Sequence, residues 1–141
     1  MHDPSPRTAR FWLKLNAASS AACGLACLLA AAPLAALLLS APPDWTAPAL
    51  RMLGAGLLIF AGLVAHTGLR PVPPAAHVQA ISAADALWVL GSLALIAAAP
   101  GAFTAAGFWV TLTVAAGVAA FGLGQVHGVR RMTARPGAKG A

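Results

Sequence analysis

The sequence predicts an all-α polytopic membrane protein, an up-and-down bundle of four transmembrane helices. Three observations predict it. Of 141 residues, 60% are hydrophobic and 9% charged, against roughly a quarter charged in a soluble domain. Long apolar runs recur along the chain, each reaching the roughly 20 residues that cross a bilayer. The links between them, "APPDWT", "RPVPPAA" and "APGAFT", are short, and short links make sequential helices antiparallel.

Residues 1–10 read as a disordered polar tail. The four-helix domain covers 11–129, with spans at about 11–40, 47–69, 76–99 and 104–128. In the first span no charge occurs between Lys14 and Asp44, and Pro33 predicts a kink because it removes a backbone donor. The basic-then-apolar start imitates a secretory signal, yet the apolar run far exceeds the roughly 7–15 residues of such a segment, so an uncleaved anchor is expected. In the second span Pro48 suits the first helical turn. The third span ends at Pro100 and Gly101. The fourth carries no formal charge before the basic tail at 130–141.

The nine Lys and Arg flank the apolar runs instead of forming an aromatic-laced patch, which argues against nucleic acid. Arg7, Arg10, Lys14, Arg70, Arg130, Arg131, Arg135 and Lys139 fall on one side of the expected membrane, and Arg51 alone on the other. The excess of positive charge makes both termini cytoplasmic. Trp12 and Trp45 sit near opposite ends of the first span, as interfacial aromatics do.

With that threading the polar residues gather at one depth. Asp85, in "SAADALWVLGS", lies roughly 13 Å into the third span at 1.5 Å per residue. A carboxylate at a helix centre costs about 2.5–3.5 kcal/mol on insertion scales, so Asp85 should face inward and find a partner. Candidate partners are Lys14, Asn16, His66 and Gln125. Ser82, Asp85, Trp88 and Ser92 share one helix face. Two readings stay open. Asp85 is an interhelical hydrogen-bonding residue that fixes register, or it is a proton or cation site in a transport path.

Cys23 and Cys27, in "CGLAC", lie one turn apart. They are weak metal candidates, because a pair is half a tetrahedral site and no other Cys completes it; packing as small apolar residues is the favoured reading. His66, His77 and His127 sit near the cytoplasmic surface; His66 and His127 meet the need for paired haem ligands only crudely. No cofactor is expected. Gly24, Gly54, and the series Ala116, Ala120, Gly124 and Gly128 are candidate helix-packing positions, either within the bundle or against a second copy. The sequence contains no nucleophile elbow, P-loop, dinucleotide fingerprint or HExxH, and two-carboxylate chemistry finds no support.

"FWLKLNAASSAACGLACLLAAAP" with "AADALWVLGSLALI" resembles a pattern in small bacterial four-helix membrane proteins. Asn16, Asp85, Trp88, Gly91 and Ser92 carry it. The resemblance implies the fold and a bacterial inner membrane, and no chemistry. The small multidrug exporters are similar in size and span number. They depend on a first-helix glutamate that this chain lacks, so their function does not carry over. The expected function is structural: an accessory subunit in the bilayer, as a homodimer or in a larger complex. The alternative is a small proton- or cation-coupled transporter using Asp85.

Overall fold

A computed structural model describes residues 4–133, with side chains placed from 7 to 131. The described chain is all-helical: α1 (Pro4–Leu29), α2 (Ala31–Leu38), α3 (Thr46–Leu69), α4 (Ala75–Ala98) and α5 (Ala105–Thr133). Four stretches are long and apolar enough to cross a membrane: Arg7–Leu29, Thr46–Leu69, Ala75–Ala98 and Ala105–Arg131. The fold class is the one the sequence predicts.

α1 and α2 are one span broken at Ala30, whose φ −125° and ψ 33° leave the helical region. Pro33 causes the break. It has no N–H to offer the Leu29 carbonyl, and its ring crowds that oxygen. The helix resumes at once, with Leu34 N–H bonding the Ala30 carbonyl at 2.9 Å. α1 also begins at Pro4, inside the stretch read from sequence as a disordered tail. Proline is tolerated in a first helical turn, and the turn after it has packing partners. Ala9 is fully buried against Gly128. Arg10 Nε donates to the Gly68 carbonyl at 3.3 Å, placing a cation at the C-terminal end of α3. At the other end α5 continues to Thr133, so Arg130 and Arg131 are helical. The remainder of the expected basic tail, with Arg135 and Lys139, lies outside the described residues.

The helices do not close into a ring. α1 packs against both α3 and α5, and α5 packs against α4, while α3 and α4 scarcely touch. The link between those two is rich in proline. It leaves α3 at Arg70 (φ −64°, ψ 140°) and enters α4 at Pro74 (φ −61°, ψ 127°), and it bends at Arg70, Pro71 and Val72 in between. Proline lacks an N–H and cannot continue a helix, which ends α3 here. Sequential neighbours are antiparallel, but the middle pair is not packed.

The tightest seam is α1 on α3. Gly24 and Gly54 face each other there. A Cβ on Gly24 would stand 2.9 Å from the Gly54 carbonyl oxygen, and one on Gly54 would stand 2.7 Å from that of Gly24. Side chains at either position would push the helices apart. On α5, Gly124 lies against the Trp12 indole and Gly128 against Ala9, but Ala116 and Ala120 are exposed. A four-residue step turns a straight helix by about 40° beyond a full circle. The series therefore winds off the contact face, and Ala115 is buried in place of Ala116.

At the end that carries both described termini, Leu13, Ala17, Val64, Val78, Ile81 and Val129 form the apolar core. At the far end the loops are clasped. Ser40 N–H bonds the Ala102 carbonyl at 2.9 Å and Thr104 N–H bonds that of Leu38 at 3.0 Å. The Thr104 hydroxyl donates to the Leu37 carbonyl and accepts from Gly107 N–H at 2.8 Å, which caps α5.

Candidate functional site

α4 buries Val78, Ile81, Ser82 and Asp85, the i, i+3, i+4, i+7 spacing of one helix face. This stripe delivers Asp85 to the interior, where it is 3% exposed. Asn16 from α1 and Gln125 from α5 reach it there, 1% and 0% exposed. Asn16 Nδ2 donates to Asp85 Oδ2 at 2.8 Å, and Gln125 Nε2 donates to the same oxygen at 3.2 Å.

Two serines orient the amides. Ser20, one turn beyond Asn16, donates to Asn16 Oδ1 at 3.1 Å. Ser82, one turn before Asp85, donates to Gln125 Oε1 at 2.9 Å. With both amide oxygens occupied as acceptors, both NH2 groups turn toward the carboxyl group. The result is a continuous chain, Ser20–Asn16–Asp85–Gln125–Ser82, joining α1, α4 and α5. Gly122 of α5 lies beside Asp85, where a Cβ would make ordinary van der Waals contact with Asp85 Cβ at 3.6 Å.

The two carboxyl oxygens differ. Oδ2 takes both donors. Oδ1 accepts no hydrogen bond among the described residues, and no cationic side chain there faces the carboxyl group. Asp85 also borders a cavity of about 150 Å³, whose walls include Asn16, Cys23, Phe60, Trp88 and Val118. All four spans line it. Chemically, the arrangement holds one carboxyl oxygen firmly and leaves the other without a donor, on a residue that lines a small, mostly apolar space. That oxygen is placed to hold a proton or to accept a hydrogen bond from a guest.

The structure brings Asn16, Ser82 and Gln125 to Asp85 and leaves other sequence candidates elsewhere. His66 is exposed, its Nε2 3.2 Å from Arg70 Nη2. It stands two residues, about 200°, from the inward-facing Val64, so it points away from the interior. Lys14 is exposed. Trp88 is half-buried on the cavity wall. The Ser92 hydroxyl turns back onto the Trp88 carbonyl at 2.8 Å within its own helix. Cys23 and Cys27 are free thiols. Cys23 lines the cavity, whereas Cys27 lies against Gly54. Among the described residues no three His, Cys, Asp or Glu side chains gather as metal ligands would. Ser20 was not singled out as a partner from sequence. Its spacing of four from Asn16 was the available signal. Phe60 offered none, being one apolar residue among many.

The spans and the buried carboxyl chain define a polytopic helical membrane protein. No family model matches the sequence, and no curated protein or solved structure matches the chain.

Proposed function

We propose that this chain is a structural, accessory membrane protein whose Asp85-centred chain of hydrogen bonds fixes the register of three helices. One observation carries the reading: Asp85 is held by amides from two other helices, each amide oriented by its own serine. A polar group satisfied from several helices specifies an arrangement more than it stabilises one, since interhelical hydrogen bonds in membranes average about 0.6 kcal/mol. The membrane is a bacterial inner membrane, a setting supported only by the sequence resemblance, and both termini are cytoplasmic, an orientation supported by the distribution of Lys and Arg. A partner, either a second copy or another subunit, is supported by Gly56, Gly62, Gly91 and Gly117. A Cβ at any of them would meet nothing within 4 Å, so the outer faces offer points of close helix approach. Purification in mild detergent tests this. Stoichiometric recovery of a second membrane protein is expected, and a lone monomer would contradict the accessory role.

A second reading, a small proton- or cation-coupled transporter, is favoured by Asp85 lining the cavity with one carboxyl oxygen that has no donor. It requires Asp85→Asn to abolish transport while the fold survives.

A further inference from the structure

The cavity beside Asp85 combines three features. Its volume of about 150 Å³ matches a single-ring molecule; an engineered apolar cavity of that size binds benzene. Its walls are mostly apolar, with Phe60 from α3, Trp88 from α4 and Val118 from α5, while α1 adds the polar side chains of Asn16, Ser19 and Ser20. Asp85, 3% exposed, lines it, and its Oδ1 accepts no hydrogen bond among the described residues. The α1–α3, α1–α5 and α4–α5 seams are packed, and α3 and α4 scarcely touch. The α3–α4 side is therefore the least packed approach to the cavity from the bilayer. The apolar core of Leu13, Val64, Val78 and Ile81 closes the end beside the α3–α4 link.

We propose that this cavity is an intramembrane binding site for a small primary ammonium with a single-ring or short hydrocarbon body, its N–H donating to Asp85 Oδ1. The charge argument selects this guest. An ammonium paired with a carboxylate brings no net charge into the hydrocarbon, whereas a carboxylate guest would double the charge there. The Trp88 ring adds a face that attracts cations. A neutral hydrocarbon fills the volume and leaves Oδ1 without a donor. Binding needs no transport, so the site stands whether the chain is an accessory subunit or a carrier.

Cys23 provides the readout, because it lines the same cavity. The full chain carrying Cys27→Ala is placed in lipid nanodiscs, and the rate of Cys23 modification by methyl methanethiosulfonate is followed by intact mass. Benzylamine is expected to slow modification at least fivefold, and toluene or benzoate at matched membrane concentration less than twofold. Asp85→Asn keeps an oxygen for the Asn16 and Gln125 donors but offers the guest an NH2 group, so protection by benzylamine should vanish. If that variant does not fold, Val118→Phe decides, because it fills the cavity from α5 and leaves the hydrogen-bonded chain untouched. Absence of protection by benzylamine, equal protection by toluene, or protection that survives Asp85→Asn or Val118→Phe would overturn the proposal.

Discussion

Asn16 Nδ2 lies 2.8 Å from Asp85 Oδ2, and this bond joins two helices, α1 and α4, that make no close backbone approach of their own. The side chains span a gap that α5 fills from one side with Gln125 and that the cavity occupies on the other. The relationship makes the bundle's arrangement depend on a few polar atoms.

Replacing Asp85 separates its hydrogen-bonding role from its charge. Asp85→Asn keeps an acceptor for both amides and is expected to cost less than about 1 kcal/mol. Asp85→Leu strands the buried NH2 groups of Asn16 and Gln125, and a stranded buried donor costs about 1–3 kcal/mol. Unfolding in mixed micelles titrated with SDS should rank the two variants in that order. Equal loss in both would contradict the hydrogen-bonding role.

The α1–α3 seam should tolerate no side chain at its closest point. Gly24→Val or Gly54→Val drives a side chain into the opposing carbonyl and is expected to cost about 1–3 kcal/mol or more, as overpacking does. Gly62→Ala is the control. Its Cβ meets nothing within the chain, so in the purified chain without a partner the higher helix propensity of alanine should leave stability unchanged or raise it by up to about 1 kcal/mol. The same micelle titration compares them.

Thr104 ties the α4–α5 link to α2 and caps α5. Thr104→Ala is expected to cost about 1 kcal/mol, and Thr104→Ser much less. Hydrogen exchange at the start of α5 should quicken in the alanine variant and stay slow in the serine variant.

The charge distribution predicts that both termini and the Pro-rich link face the cytoplasm. Reporter fusions at the C-terminus should be active only if their reporter works in the cytoplasm. Fusions after Asp44 should give the opposite result.

Much of this architecture was legible because the bilayer restricts what a chain can do. Runs of apolar residues of spanning length, broken by proline and glycine, read directly as helices. The break at Pro33 was legible for the same reason. Asp85, Asn16 and Gln125 stood out because polar groups are scarce in such runs. Three features were not legible. The α3–α4 opening is a matter of which helices pair, and apolar runs of equal length do not encode their pairing. His66 was grouped with the polar residues by depth, but depth carries no information about rotation around the helix axis. Ala116 and Ala120 were grouped with Gly124 and Gly128 by a spacing of four, and the 3.6-residue turn carries that series away from α1.

The central claim is that Asn16 and Asp85 hold α1 to α4 through a direct bond. A double-mutant cycle with Asn16→Ala, Asp85→Ala and the pair tests it most directly, since such a cycle isolates the term between two contacting residues. Measured by unfolding in mixed micelles, the coupling should be about 0.6–1.7 kcal/mol, the range for interhelical hydrogen bonds in membranes. Strict additivity of the two losses would contradict the account.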